Sequence, residues 1–261
     1  MLKRTVKAIE AHAIEQYPRE CCGLVVMVGR SERYIPCTNK APEDSRGDVF
    51  VLDDREFAEA EKLGRVCAIV HSHPDFPATA SESDKTGCEE TDLPWIIVSV
   101  RKGDDGTVYT DGVARIQPEG YRAPLVGREF HHGVLDCYSI VRDWFRWERG
   151  VELMNFHRED GWWKGDKELY LDNLAVAGFV VVPPGQPLQV GDMILMQYQS
   201  DRVNHAGVYI DDQVPAGANV ARMKGLMLHH LYGKPSQVVV YGGFWQQITH
   251  TVARHKSQIR E

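Results

Sequence analysis

The sequence contains no apolar stretch near the ~18 residues that a membrane-spanning helix needs. Its longest candidate, LAVAGFVVVPP at 174–184, is short and ends in proline. A helical membrane protein is therefore excluded. A signal-peptide pattern is also missing: MLKRTVKAIEAHAIEQYPRECCGL carries apolar residues at helical spacing (Val6, Ile9, Ala13, Ile14) broken by charges, with no apolar core and no small-residue cleavage site. The expectation is synthesis and folding in a cytoplasm. Six cysteines form no regular framework, and the neighbours Cys21 and Cys22 are poorly placed to bond each other, so reduced thiols are expected. An excess of basic charge is lacking as well. The formal charge is −7, and residues 1–117 hold 15 Lys+Arg against 21 Asp+Glu. That balance argues against a nucleic-acid partner and for cationic or neutral ones. There is no internal repeat and no low-complexity segment.

What remains is a chain of 261 residues, 43% hydrophobic and 26% charged, enough for one large core or two modest ones. Patterning favours two domains. Over 1–117 helical and strand periods alternate: helices at 3–16 and 54–63, strands at 23–29, 32–37, 48–51, 66–71, 95–101 and 107–115. This mixture predicts an α/β or α+β domain. QPEGYRAPLVG, at 117–127, is punctuated by Pro and Gly without periodicity, which places a linker at 118–126. Over 127–261 a helix at 138–148 and a helical or irregular region at 165–178 precede strands at 193–197, 206–210, 225–230 and 237–243. That order predicts a second, α+β domain.

The segment AIVHSHPDFPATASESDKTG, at 68–87, carries the first candidate chemistry. Residues i and i+2 of a strand share a face, so His71 and His73 present two imidazoles to one point. Two nitrogens make half a zinc site, and a catalytic zinc takes three protein ligands and keeps one position open. Asp84 is the candidate third ligand. Ser81-x-x-Asp84 is at the same time a capping box, which by itself says only that a helix begins near 82. Cys88 is a packed or surface thiol in this reading, because a fourth protein ligand would close the site.

The spacing H-x-H-P-x6-S-x-x-D resembles the JAMM (MPN-domain) metallopeptidases, and YPRECCGLVV resembles their upstream glutamate segment at Glu20. The resemblance covers residues 1–115, including CTNKAPEDSRGDVFVLDDREFAEAE. It implies a cytidine-deaminase-like fold and zinc held by His71, His73 and Asp84, lowering the pKa of bound water towards ~7. It further implies Glu20 as the base that moves the proton to the leaving amine, and Ser81 as a hydrogen-bond donor to the oxyanion. The reaction implied is hydrolysis of a peptide or isopeptide bond.

A different chemistry is suggested further on. GVLDCYSIVRDWFRWERG places Cys137 just before a helix with an apolar stripe through Ile140, Val141, Trp144 and Phe145. A helix N-terminus favours a thiolate and offers N–H groups to an oxyanion, although a lone cysteine there is often structural. A base is offered by VNHAGVYI, where His205 begins an alternating strand. LMLHHLYG offers His229 and His230 on opposite faces of another strand, so one of them can point at His205. Cysteine, histidine and a polar orienting group is the papain-type arrangement. DCYS, LQVGDMILMQ and NHAGVYI, in that order over residues 124–245, resemble the NlpC-type papain-like peptidases. That resemblance implies a papain-like fold that cuts peptidoglycan stem peptides, with Cys137 as nucleophile, His205 as base and His229 as orienter, His230 in reserve. Two positions depart from the pattern. Leu125 stands where many members carry a tyrosine near the oxyanion, and DDQVPAGANVARMKG at 211–225 is longer than the usual tight turn. The tryptophan pair in HREDGWWKGDKELYLDNL, at 157–174, fits either sugar or stem-peptide binding or core packing with a loop.

The two domains in this order resemble the tail-tip assembly proteins of lambda-like bacteriophages. The resemblance implies tail-tip proteins as partners, action in the host cytoplasm during assembly, and a place at the virion tail tip or in the periplasm at DNA entry. Three readings compete: a two-headed peptidase, an assembly chaperone or structural component keeping both folds as binding surfaces, and a bacterial deconjugating or amino-acid-releasing enzyme. Intact signatures at both sites favour the first, and the NlpC-type half argues against the third.

Overall fold

A computed structural model describes residues 1–42 and 49–259. It separates into two compact units, Met1–Arg122 and Ala123–Glu261. The segment 118–126 divides between them: the Glu119 and Tyr121 N–H groups donate to Glu89, whereas Ala123 and Leu125 are buried in the second unit. No helix among the described residues is long and apolar enough to cross a membrane. All six cysteines are free thiols.

The first unit runs α1 (Lys3–Gln16), β1 (Cys22–Val28), β2 (Ser31–Cys37), α2 (Asp54–Leu63), β3 (Arg65–Pro74), α3 (Glu82–Thr91), β4 (Trp95–Lys102) and β5 (Val108–Ile116). Its sheet has the order β2-β1-β3-β4-β5. Only β3 and β4 are parallel, because α3 carries the chain across between them. Strand alternation gives the sheet two apolar faces. One packs Cys21, Val25, Val70 and Val98 against Ile9 and Ala13 of α1. The other packs Cys22, Leu24 and Ile69 against Ala60 of α2 and Trp95. His71, two residues beyond Ile69, emerges on that second face.

The strand expected at 48–51 is not formed at 49–51, and Asp48 lies outside the described residues. The backbone groups a strand would use are taken locally. Asn39 Oδ1 accepts from the Ala41 and Val51 N–H groups, Asn39 Nδ2 donates to Val49 O, and Lys40 N–H donates to Val51 O.

The second unit begins with α4 (Cys137–Arg149), then α5 (Leu169–Asn173), β6 (Phe179–Val181), β7 (Met193–Met196), β8 (His205–Asp211), β9 (Leu226–His229), β10 (Gln237–Val240), α6 (Phe244–Gln247) and β11 (Thr249–His255). The sheet order is β10-β9-β8-β7-β11-β6. α4 starts at the capping box of Asp136 with Ser139 and stops at Gly150, whose φ of 64° suits glycine. Its Ile140, Val141, Trp144 and Phe145 join one core with Leu195, Val208 and Leu228. At about 1.5–3 kcal/mol per fully buried large apolar side chain, this stripe fixes the helix on the sheet. β6 and β11 lie beyond the expected strands. β6 has three residues, and β11 is a polar sequence held partly by the buried pair Arg254–Asp192 at 2.7 Å.

Candidate metal and thiol sites

The first site forms where β3 ends and α3 begins. Ser81 caps α3 by accepting from Asp84 N–H at 3.1 Å, while Asp84 Oδ2 accepts from Ser81 N–H at 2.7 Å. The same box aims Asp84 at the histidines. Its Oδ1 lies 3.1 Å from His71 Nε2, its Oδ2 lies 3.3 Å from His73 Nε2, and the two Nε2 atoms are 3.1 Å apart. Four-coordinate zinc with bonds of about 2.0–2.1 Å spaces its ligands by roughly 3.3 Å, so this donor set fits zinc in atom type and spacing. The three ligand atoms lie within 4.8 Å of one another, and no other such cluster occurs among the described residues.

Surrounding groups fix the ligands. His73 Nδ1 meets the Pro77 carbonyl at 2.9 Å; a carbonyl only accepts, so Nδ1 carries the proton and Nε2 presents its lone pair. His71, 1% exposed, stacks on Phe50 at 4.8 Å and meets the edge of Trp95 at 5.4 Å. Gly87 lets α3 approach: a Cβ there would lie 2.5 Å from the Trp95 ring. Burial works against the Asp84 charge, but the adjacent His71 and His73 imidazoles and the Ser81 N–H hold its carboxyl well below the usual range. Burial lowers the His71 pKa, against the opposing pull of Asp84.

Glu20 is buried just ahead of β1. Cys22 pairs with His71, and Cys21 N–H donates to Ser72 Oγ while Cys21 O accepts from Ser72 N–H. The pairing of β1 with β3 ends at Cys22 and His71, and Glu20 lies two residues before Cys22. Asn39 Nδ2 holds the Glu20 carbonyl at 3.0 Å. Ser81 Oγ also meets Ser83 Oγ at 2.8 Å.

In the second unit, Cys137 is the first residue of α4. Asp136 accepts from the N–H groups of Gly133, Tyr138 and Ser139 and from Arg158 Nε, all within 2.8–3.0 Å. Cys137 Sγ lies 3.1 Å from Tyr170 Oη and 3.9 Å from the Asn204 carbonyl. The helix start was expected to favour the thiolate. Instead burial, reinforced by the Asp136 carboxylate next to it, pushes the thiol up to about 11. Tyr170 is buried and held well above its ordinary pKa, so its phenol keeps its proton.

His205 Nε2 meets His229 Nδ1 at 2.9 Å, and Trp245 packs on His229 at 4.5 Å. His230 points to the other side, edge-on to Phe130 at 5.2 Å. Burial lowers all three imidazoles: His205 well below its ordinary value, His229 to about 4 and His230 to about 3. The histidines are therefore neutral at neutral pH. Cys137, His205, Tyr170 and Asn204 line one pocket.

The structure brings His71, His73 and Asp84 together with Ser81 at the cap, and Cys137, His205 and His229 around the thiol; Glu20 is buried beside β1, and His230 faces away. Sequence reasoning missed Tyr170, which reaches the sulfur from α5, and Arg158, which neutralises the Asp136 cap; neither belongs to a periodic pattern. Tyr170 does lie in the aromatic segment already singled out.

Comparison with known proteins matches residues 2–110 to the prokaryotic homologs of the JAB domain and residues 127–254 to the NlpC/P60 family. The tail tip assembly protein K of Escherichia phage N15 is 41% identical over 258 residues, covering 98% of this chain and 96% of that protein. That of Escherichia phage lambda is 35% identical over 206 residues, covering 79% and 90%. Among solved structures, a protein of Desulfitobacterium hafniense shares 26% identity with a TM-score of 0.33, covering 45% of this chain and 88% of its own.

Proposed function

The chain belongs to the family of tail tip assembly protein K, and from that membership we propose that it serves phage tail-tip assembly as a peptidase with two heads. In this reading tail-tip proteins are its partners, its first domain hydrolyses a peptide or isopeptide bond, and its second cuts peptidoglycan stem peptides. The observation that carries the reading is the pocket that joins Cys137, at the start of a helix, to His205, which is in turn bonded to His229.

In the second domain the neutral His205 takes the Cys137 thiol proton as sulfur attacks the amide carbon. The developing oxyanion is received by the Cys137 N–H at the helix start and by the Tyr170 hydroxyl. His205 returns the proton to the leaving amine, and then directs water at the thioester, which releases the acid and restores the thiol. His229 fixes the ring of His205. Tyr170 thereby supplies, from α5, the hydroxyl that Leu125 lacks.

In the first domain His71, His73 and Asp84 would hold zinc, which when bound supplies the Lewis acidity that amide hydrolysis by water requires. Glu20, two residues before the Cys22–His71 pair, accepts the water proton and passes it to the leaving amine. Ser81 donates to the substrate carbonyl oxygen. Assembly in the host cytoplasm brings the first head to its protein partners, and DNA entry brings the second to the wall.

The test is release of soluble muropeptides from purified sacculi by the wild type, Cys137→Ala and Glu20→Gln, with fragments identified by mass spectrometry. Loss confined to Cys137→Ala is expected. No release by any form would overturn the wall-peptidase assignment and favour an assembly factor whose folds serve as binding surfaces.

A further inference from the structure

One wall of the Cys137 pocket is built from aromatic rings that the cleavage chemistry does not use. Phe130, Trp162, Trp163 and Tyr232 come from three separate segments and line the same cavity as the nucleophile. They form a connected surface: ring centres are 6.0 Å apart for Trp162–Trp163, 5.9 Å for Trp163–Tyr232 and 4.9 Å for Phe130–Tyr232. The surface begins at the nucleophile, because Trp162 also packs 5.8 Å from Tyr170. It is not core. Tyr232 is 55% exposed, and Phe130, Trp162 and Trp163 are partly exposed. The Tyr232 hydroxyl donates to Asp160 at 3.1 Å, which holds its ring in place.

We propose that this wall is a pyranose-binding subsite, so that the second domain acts on stem peptides still attached to their amino sugar rather than on released peptides. The proposal rests on the reading of that domain as a wall peptidase and adds its substrate class. Stem-peptide residues are small or charged and have little use for four rings. A pyranose presents an apolar C–H face bordered by hydroxyl and amide groups, and an aromatic ring with polar groups at its rim matches both parts. The carboxylate nearest the nucleophile, Asp136, is saturated by Gly133, Tyr138, Ser139 and Arg158, so it is not arranged to capture the free amine of a released stem peptide. Contacts made away from the scissile bond are a source of binding energy for catalysis, and here they would favour the polymer-linked substrate.

The test uses the full chain on a cross-linked disaccharide-peptide dimer and on the same dimer stripped of its sugars. The wild type is expected to show kcat/KM about tenfold or more in favour of the sugar-bearing dimer, mainly through KM. Trp163→Ala should shrink that ratio to about threefold or less, and Trp163→Phe should keep most of it. Equal kcat/KM on the two dimers would overturn the subsite and leave the peptidase reading intact. A second arm titrates Cys137→Ala with the N-acetylglucosamine–N-acetylmuramic acid disaccharide, followed by tryptophan fluorescence. A saturable change that disappears in Trp163→Ala supports the subsite even if neither dimer is cut, a result that would sink the peptidase reading alone. No change up to about 10 mM disaccharide overturns the subsite.

Discussion

Both candidate sites sit where a capped helix meets a strand carrying histidines, yet they are electrostatically opposite. At the start of α3 the carboxylate of the capping box, Asp84, points at His71 and His73 and stays ionised. At the start of α4 the capping carboxylate, Asp136, is answered by Arg158, and the groups left for chemistry, Cys137 and His205, rest neutral. The first arrangement offers a cation two imidazoles and a negative charge. The second holds a proton in place until a substrate arrives. A helix start is thus not one device; the partner of its capping carboxylate decides whether the site is charged at rest.

The largest effects should come from breaking each site separately. Cys137→Ala is expected to lower muropeptide release by about 10³-fold or more without changing zinc content. In that background, Glu20→Gln should retain one zinc by elemental analysis but lose cleavage of a peptide library; loss of zinc would show that Glu20 is a ligand and erase the division between base and ligands. The neutral resting state of the second domain predicts a pH dependence of stability. His229 and His230 have folded pKa values below their unfolded value near 6.5, so the unfolded chain binds protons first. Stability is then full above pH 6.5 and falls towards pH 4, by about 1.4 kcal/mol per pH unit for each histidine. Five of the six tryptophans lie in that domain, so urea unfolding followed by tryptophan fluorescence reads it directly; a midpoint flat from pH 7 to 5 would contradict neutral burial. Tyr170→Phe should reduce muropeptide release about 10²-fold with little change in KM, and slow alkylation of Cys137 by iodoacetamide. Unchanged kinetics would reduce Tyr170 to packing. Ser81→Ala has the mildest effect on folding: besides removing the donor to the substrate oxygen, loss of the cap should cost the first domain about 1 kcal/mol in denaturant unfolding.

Much of the metal cluster was legible because local rules suffice for it. A period of two puts His71 and His73 on one face, and a capping box fixes Asp84 three residues from Ser81. The thiol site was legible in its nucleophile and histidines, and the cross-strand bond to His229 rather than His230 follows once β8 and β9 pair. Its electrostatics were not. Arg158 and Tyr170 come from irregular segments whose approach to Asp136 and Cys137 depends on tertiary packing, and burial outweighs the helix-start effect on the thiol. The missed strands β6 and β11 lack a clear apolar alternation, and the strand expected at 48–51 was misread because Asn39 satisfies that backbone through its side chain.

Gly87 has a genetic consequence. It touches no substrate, and the nearest metal-ligand candidate, Asp84, lies a helical turn away. A methyl group there must displace Trp95 or lift α3, and lifting α3 carries Asp84 away from the histidines. A random search for chains that have lost first-domain chemistry should therefore return position 87 beside the ligand positions. Second-site suppressors of Gly87→Ala should then appear at Trp95 as smaller side chains.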